Sequence, residues 1–509
     1  MILYHEDFAC YDCDQLMDYA AVGRNLPPPI WVGVGRFFPL TFQEFNALQF
    51  FTRTPAGFHS FAVAELLILL FFLFVFLRDW SVQLRAWSLT AAMLAPSFVI
   101  SLTGLIYPER NILFWLGILM FCLERSRSSG NAIYVIGCFV ATHCLLYYKE
   151  PLVIFIVVYA VASLLLSAGR SWGQSRPSWR KFALTNVIPI GMIGLASIYT
   201  FLFFSLIVSS SQKFGYIRDR AGDTRTNIIW TYLQRDWLIP IFGAVVFYRL
   251  VGCCLRKKKL DPLWDPLAFG AICYFLALIG VSLYADYYLA FVDLIALLYL
   301  VESCRSWLRK GLSLRTMAVV AALLLIVIHN AAYSTLIVME RKQVIGFERQ
   351  LADFLKNYEG RGDKSETKLY FPFSEGYQLM ELSSYLNYRK IPILGANSPA
   401  SHMNNRFAIS GGGNFSRSRC VSYRVYACFH SDEAEPGSLI IVSPQDHPSE
   451  KEINEIRLIG SPLLESHSAS ENSVSGRLLR LMVIFAPEFG ESRYRERPQP
   501  WWQLYVFQR

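Results

Sequence analysis

The chain has 509 residues, of which 54% are hydrophobic and only 17% are charged, and its mean hydropathy is +0.33. A water-soluble protein of this size cannot bury so much apolar surface, so lipid must cover part of it. The net charge of +9 does not indicate a partner nucleic acid, because the sequence has no basic stripe with interleaved aromatic residues. The composition is that of a polytopic membrane protein.

The first eighteen residues are unusually acidic for such a protein. Their carboxylates are Glu6, Asp7, Asp12, Asp14 and Asp18. The adjacent pair Glu6 and Asp7 could accept a proton from a hydroxyl nucleophile or hold a divalent cation, and a solvated acidic loop is the alternative interpretation. The letters MILY resemble the last turn of a membrane helix. We therefore expect a helix upstream of the sequence, with a chain that begins outside the membrane as the alternative.

An aromatic, proline-rich stretch leads to Arg36 in GRFFPLTFQEFN (35–46). It suits a segment lying in the membrane interface, although ordinary packing would also explain it, and Arg36 is a candidate substrate contact. Apolar runs follow at 59–77, 86–106, 111–123, 131–148, 151–168, 184–209, 236–254, 266–284, 287–303 and 316–338. Most of them are long enough to cross a bilayer. We predict a first loop at 1–58, a transmembrane domain of about ten helices at 59–338 and a soluble domain at 339–509.

The loops between these runs differ in charge. If residues 1–58 lie outside, the alternate loops that should face the cytoplasm are rich in Lys and Arg. The opposite loops YPERN, YYKEP and YADYY are short and less basic. The positive-inside rule therefore predicts that the first segment and the tail are both extracytoplasmic.

Several charged residues of the outer loops are candidates for chemistry. Glu109 and Arg110 lie in YPERN beside lipid, where charges are costly unless they are paired or used. Lys149, in YYKEP, could bind a lipid phosphate as a point charge. His143 lies in the apolar run before it, where a satisfied intramembrane histidine is favoured over a catalytic base, and it is kept as a candidate substrate contact. Arg220 belongs to the longest outer loop, whose arginines could bind phosphate or pair with neighbouring aspartates.

The tail changes in character. Short apolar patches at 368–373, 438–444 and 477–487 predict strands, and helical periodicity appears at 341–357 and 375–386. A small α/β domain fits this pattern.

Two cysteine pairs are predicted to face an oxidising compartment, Cys10 with Cys13 and Cys420 with Cys428. CYDC has the spacing of a redox motif but lacks its βαβ context, so a disulfide or two free thiols is favoured. The second pair could close a hairpin.

The order of these features resembles the GT-C superfamily, polytopic membrane glycosyltransferases that use polyprenyl-phosphate sugar donors. YHEDF resembles the acidic pair at the end of that family's first helix, and GRFFPL resembles an element of its long first outer loop. YPERN is similar to the second outer loop, which often supplies another acid, and YYKEP to a third-loop element. YADYYLAFVDLIALL resembles the late Y-Y-x-x-P helix start, although this chain has no proline there.

The resemblance implies a mainly α, polytopic helical bundle with a C-terminal extracytoplasmic α/β domain, in a bacterial inner membrane. It implies Asp7 as the catalytic base, with Glu6 beside it and Glu109 as a second acid that positions the acceptor or helps to bind metal. The residues that would hold the lipid phosphate are Arg110, Lys149 and Arg220. Members of the family differ in metal use, so Mg²⁺ or Mn²⁺ at Glu6 and Asp7 is one option, and the sequence fixes no cofactor.

The implied reaction moves a sugar from a polyprenyl-phosphate-linked donor to an extracytoplasmic glycan, lipid or protein. A transporter or flippase of lipid-linked saccharides is the main alternative, and it predicts repeated halves or discontinuous helices near the middle of the membrane. The sequence shows no internal repeat. A surface-polymer polymerase or ligase, and a scaffold whose tail binds a partner, are further alternatives.

Overall fold

The structure is a computed structural model of the whole chain. It describes residues 8, 13–31, 35–171, 179–209, 225–256, 259–281, 283, 285–308, 314–359, 367–372, 374, 376–391, 407–411, 429–430, 434–443, 450–467 and 503–509.

Helices make up most of the described chain. In chain order they are α1 (Asp14–Asp18), α2 (Gln43–Leu48), α3 (Pro55–Phe76), α4 (Val82–Met93), α5 (Pro96–Thr103), α6 (Glu109–Ser129), α7 (Ala132–Tyr148), α8 (Leu152–Ser171), α9 (Trp179–Thr185), α10 (Val187–Phe203), α11 (Arg225–Arg235), α12 (Leu238–Arg256), α13 (Trp264–Gly280), α14 (Ala290–Leu308), α15 (Leu314–Glu359), α16 (Gly376–Tyr388) and α17 (Glu450–Ile459). Each of the ten apolar runs noted in the sequence contains a helix.

Six of these helical segments, within the part of the chain that the structure describes, are long and apolar enough to cross a membrane. They are Pro55–Phe76, Leu152–Gly169, Val187–Val208, Leu238–Leu255, Asp286–Arg305 and Thr316–Val338. α4 and α5 together form a seventh candidate, bent by 69° at the break between them. α7 and α13 are apolar but shorter. The protein is therefore an integral membrane protein, and the predicted mainly helical fold is confirmed.

The bend between α4 and α5 has a local cause and a partner. Pro96 opens α5, and Ala95 before it is extended, as a residue preceding proline prefers. The break leaves backbone carbonyls without helical partners, which is costly in lipid. The Ser334 hydroxyl of α15 donates to the Leu94 carbonyl at 2.7 Å, so a neighbouring helix satisfies one of them.

Side chains of one set of loops meet at one end of the bundle. Arg78, after α3, pairs with Glu124 of α6 at 2.9 Å, and the Trp80 indole donates to Glu302 of α14 at 2.8 Å. Arg127 donates to the Pro262 carbonyl at 2.6 Å. These residues belong to or adjoin the connections after α3, α6, α12 and α14, so these four basic loops share one end.

The tail forms an α/β unit around a mixed sheet. Its strands are β3 (Thr367–Phe371), β4 (Phe407–Gly411), β5 (Phe429–His430), β6 (Leu439–Val442), β7 (Ser461–His467) and β8 (Gln503–Gln508), after a small hairpin of β1 (Ile30–Trp31) and β2 (Arg36–Phe37) near the start of the chain. The order in the larger sheet is β5-β4-β3-β6-β8-β7, with β3 parallel to β4 and β6, and β8 antiparallel to its two neighbours. The strands expected at 368–373 and 438–444, and both tail helices, are present, whereas the strand expected at 477–487 lies outside the described residues. The α/β prediction is confirmed.

The sheet has two covered faces because side chains alternate along each strand. On one face, residues such as Leu369, Leu439 and Val506 join a hydrophobic cluster that also contains Phe45 and Phe58 from the start of the chain. On the other face, residues such as Ile440 and Phe507 pack with α17. One face of the domain is thus packed against the end of the bundle opposite the basic loops.

Candidate functional site

Four connecting segments meet at the end of the bundle that contacts the tail domain. The Leu40 amide donates to the Tyr147 carbonyl at 3.2 Å, and the Thr41 hydroxyl donates to the Tyr148 carbonyl at 3.0 Å. Tyr107, in the connection before α6, stacks on Tyr287 before α14 with ring centroids 4.3 Å apart. The loops that the charge pattern assigns to one side therefore meet at one end.

Lys149 lies near the centre of this region. α7 ends at Tyr148 and α8 begins at Leu152, so Lys149 takes an extended backbone conformation in the turn between them. Its ammonium bonds the Glu109 carboxylate at the first residue of α6. The Nζ atom also lies 3.6 Å from the centroid of the Tyr288 ring, a cation–π distance.

The Glu109–Lys149 pair is almost completely buried, and both groups lie outside the six candidate spans. Burial raises the pKa of the Glu109 carboxyl, and Lys149 opposes this shift. Burial also lowers the pKa of Lys149, and Glu109 opposes that shift. The second oxygen of Glu109, Oε2, is buried and has no hydrogen-bond partner among the described residues. It is therefore an acceptor that a bound hydroxyl could use.

Arg36 stands beside this pair. It lies on β2, and its Nε donates to Glu150 Oε1 at 2.9 Å, while the Phe37 amide donates to the same oxygen at 2.9 Å. The Arg36 charge also acts on Glu109 and on Lys149. The sequence-predicted residues Arg36, Glu109 and Lys149 are thus brought together, and Glu150, the partner of Arg36, also acts on Lys149 through its charge.

Arg110 contacts a different set of residues, on α2 and α3. Its guanidinium pairs with Glu65 of α3 at 2.6 Å and with Glu44 of α2 at 3.3 Å, and Nη1 donates to the Leu105 carbonyl at 3.1 Å. The residue is 1% exposed. Asn111 donates to the same Glu44 oxygen at 2.5 Å. These contacts favour a structural role, and the phosphate contact expected for Arg110 stays a prediction.

The described contacts of His143 do not include Arg36, Glu109 or Lys149. Its ring lies 4.6 Å from the Tyr147 ring, centroid to centroid, and its side chain is exposed on α7. The structure therefore neither joins His143 to Lys149 nor tests its role as a substrate contact.

Several predicted residues lie outside the described part of the chain. They are Glu6, Asp7, Cys10, Arg220, Cys420 and Cys428. Phe8, directly after the acidic pair, is described and fully buried between Phe58 at 5.8 Å and Tyr388 of α16 at 5.1 Å, measured between ring centroids. Cys13 is disulfide-bonded, and its partner lies outside the described residues, because every other described cysteine is free.

Sequence reasoning missed the acids that complete the site. Glu65 and Glu44 pair with Arg110, and Glu150 pairs with Arg36. It also missed Asp293 in α14, which accepts a hydrogen bond from Ser97 of α5. A single acid inside an apolar run, as in FAVAELLILL and FVDLIALL, was the available signal for Glu65 and Asp293.

A metal site is not evident in this region. Within the described ranges, the structure contains no group of three or more His, Cys, Asp or Glu side chains that could hold a metal ion. The cation site expected at Glu6 and Asp7 falls outside those ranges and stays a prediction.

The fold and the site define an integral membrane protein whose helical bundle carries, at one end, a cluster of buried ion pairs beneath an α/β domain. No protein-family model matches the chain, and no curated protein matches it. Among solved structures, the chain is similar to the crystal structure of ArnT from Cupriavidus metallidurans bound to undecaprenyl phosphate. That similarity has a TM-score of 0.41 and 13% sequence identity, and it covers 98% of this chain and 93% of the other.

Proposed function

We propose that the protein is a membrane glycosyltransferase that moves a sugar from a polyprenyl-phosphate-linked donor to an extracytoplasmic glycan, lipid or protein. One observation carries the proposal. Three connections bring the ion pairs Arg36–Glu150 and Glu109–Lys149 together at one end of a membrane bundle, and Glu109 keeps one buried oxygen without a hydrogen-bond partner among the described residues. A lipid-linked donor needs such a place, because its tail stays in the bilayer while its headgroup reaches a polar pocket.

The reaction is a displacement at the anomeric carbon of the donor sugar. The acceptor hydroxyl attacks that carbon, its proton passes to the Asp7 carboxylate, and the bond to the phosphate breaks with the electron pair on the phosphate oxygen. Lys149 and Arg36 stabilise the charge that develops on the leaving phosphate. Glu109 accepts a hydrogen bond from a sugar or acceptor hydroxyl through Oε2 and holds it in line.

The charges of the cluster suggest how the phosphate binds. Arg36 and Lys149 are balanced by Glu109 and Glu150, so the four side chains carry no formal net charge. An arriving phosphate therefore has to displace a carboxylate, Glu109 or Glu150, from the cation that it pairs with. In the same proposal, cations of the 210–224 segment, such as Arg220, help to bind the phosphate.

The orientation of the chain belongs to the same proposal. The end that carries the basic loops faces the cytoplasm under the positive-inside rule, and the cluster and the tail domain lie on the extracytoplasmic side of a bacterial inner membrane. The protein then has three partners: the lipid-linked sugar donor, the acceptor and the membrane lipids.

A flippase or transporter of lipid-linked saccharides is the second candidate, and a separate observation favours it. Asp293 lies inside a candidate span, is buried, accepts a hydrogen bond from Ser97 and lies beside Asp236, which comes just before α12. Ionisable groups inside a membrane often mark a path for a polar solute.

Release of polyprenyl phosphate separates the two functions without knowledge of the sugar. Proteoliposomes are supplied with lipid-linked sugars extracted from native membranes and with acceptor, and free polyprenyl phosphate is measured by mass spectrometry. We expect release by the wild type and a loss of about 10²-fold or more in Asp7→Asn and Glu109→Gln. The matched control is Glu124→Gln, on the same helix and paired with Arg78 at the other end, which should release at the wild-type rate. Movement of intact donor between leaflets, without release, would establish the flippase instead.

A further inference from the structure

The long helix α15 reaches the candidate site through Arg341. The candidate span of this helix ends at Val338, and the helix continues to Glu359. Beyond the membrane, Phe347, Leu351 and Leu355 enter the hydrophobic cluster shared with the sheet. Arg341 lies between these two parts and is buried.

Among the described residues, Arg341 contacts the end of α5 and no carboxylate. Its Nη1 donates to the Thr103 hydroxyl at 2.6 Å and to the Ile100 carbonyl at 3.5 Å. A cation is favourable at the C-terminal end of a helix, where the carbonyls point. The guanidinium also lies 5.8 Å from the centroid of the Tyr107 ring.

A chain of aromatic contacts leads from Arg341 to Lys149. Tyr107 stacks on Tyr287 at 4.3 Å, Tyr287 lies 4.6 Å from Tyr288, and the Lys149 ammonium lies 3.6 Å from Tyr288, measured to ring centroids. Lys149 in turn bonds Glu109. The residues between α15 and the candidate site are therefore in contact at every step.

Gly104 shows how little room this arrangement leaves. A Cβ atom added there would lie 2.3 Å from the Tyr107 ring and 3.2 Å from Arg341 Nη1. The ring of Tyr107 thus fits between the glycine and Tyr287, and a methyl group would force it to move.

We propose that Arg341 is a positioning residue: by holding Tyr107 against Tyr287 it keeps Tyr288 over Lys149 and so fixes the Glu109–Lys149 pair. The tail domain, through α15, is then a structural support of the site. The proposal rests on the proposed function for its kinetic consequence, but not for the geometry, which is tested without a substrate.

The geometry is tested by the accessibility of Lys149. Full-length protein in detergent is treated with an amine-acetylating reagent, and labelling of Lys149 is measured by peptide mass spectrometry relative to Lys451, which is 87% exposed. We expect severalfold more labelling in Arg341→Gln, in Thr103→Val, which removes the hydroxyl acceptor, and in Gly104→Ala, which displaces Tyr107. Arg341→Lys keeps the bond to Thr103 and should give an intermediate result.

Arg389→Gln is the matched control. Like Arg341, Arg389 has a tyrosine ring contact, with Tyr385 at 5.9 Å, but it pairs with Asp353 at 3.3 Å and lies after α16 in the tail domain. Its loss should leave Lys149 labelling at the wild-type level. Wild-type labelling of Lys149 in both Thr103→Val and Gly104→Ala overturns the proposal, and these two variants decide it if Arg341→Gln does not fold.

The release assay gives the second readout. We expect kcat to fall about 10-fold or more in Arg341→Gln and Gly104→Ala, because a displacement of ~1 Å in a catalytic group costs up to about 10²-fold. The KM for the donor should change less, and Arg341→Lys should restore part of the rate. A wild type that releases no polyprenyl phosphate refutes the glycosyltransferase, whereas the labelling result still decides the role of Arg341.

Discussion

Arg110 has two carboxylate neighbours and almost no exposure to solvent. The sequence could predict that Arg36, Glu109 and Lys149 share one end of the bundle, because each belongs to a connection of the same charge class. It could not predict that Arg110 turns away from Lys149 toward Glu65. Adjacent residues at the start of a helix point about 100° apart, and the partner of Arg110 lies on a helix far away in sequence.

The pairs of Arg110 can be tested by its removal. Arg110→Gln leaves two buried carboxylates without a cation, so we expect a loss of about 3–5 kcal/mol in stability. The double variant Arg110→Gln/Glu65→Gln should recover much of this loss, because it removes one of the uncompensated charges. Thermal unfolding of the detergent-solubilised protein measures both. Wild-type stability in the single variant, with weaker binding of polyprenyl phosphate, would make Arg110 a ligand contact instead.

At the scale of elements, the apolar runs of the sequence predicted where the helices lie. They did not predict where a helix breaks or how far it continues beyond the apolar run. Residues 86–106 form one apolar run, and the bend at Pro96 is visible only as a proline in its middle. The predicted domain boundary after residue 338 falls inside α15, because helical periodicity continues into the polar tail. The sequence analysis missed β4, β5, β7, β8 and α17, since the sheet depends on pairing between segments distant in sequence.

The connection between α2 and α3 has two exposed aromatic residues. Phe50 is 81% exposed and Phe51 is 87% exposed, four or five residues before the span that begins at Pro55. The lipid-facing side of α3, with Leu67 and Phe71, is likewise exposed in the protein alone. We interpret Phe50 and Phe51 as residues that insert into the membrane interface, in line with the interfacial character expected of this first segment.

Photocross-linking tests this contact in native membranes. A benzoylphenylalanine at position 51 should capture lipid on irradiation. The same residue at position 458 should capture much less, although Leu458 is 86% exposed, because α17 lies on the face of the sheet away from the bundle. Equal lipid capture at the two positions would contradict the interfacial assignment.

For the whole molecule, the two ends of the bundle differ in chemistry. One end joins Arg78, Glu124 and Glu302 through basic connections, and the other carries the candidate site and the tail domain. The alternation of charge along the sequence was sufficient to predict this separation. The residues that were assigned the central catalytic role, Glu6 and Asp7, lie outside the described ranges, so their convergence with Glu109 stays a prediction.

Labelling from each side of the membrane tests the orientation. In spheroplasts, an impermeant maleimide should label Lys451→Cys, an exposed position on α17, and should leave Ser128→Cys, an exposed position at the end of α6, unlabelled. In inside-out vesicles the reagent should label Ser128→Cys and leave Lys451→Cys unlabelled. Labelling of the protein without either substitution gives the background. Labelling of Ser128→Cys in intact spheroplasts would show that the orientation is the opposite of the proposed one, with the candidate site on the cytoplasmic side of the membrane.

The position of β8 has a consequence for biogenesis. This strand comes last in chain order, yet it lies between β6 and β7 and is hydrogen-bonded to both. Ribosomes deliver the chain from its N-terminus, so β6 and β7 each keep one edge unpaired until residues 503–508 have emerged. We expect the nascent tail to be open to proteases and to chaperones during that interval, and the end of the bundle beneath it to be assembled late.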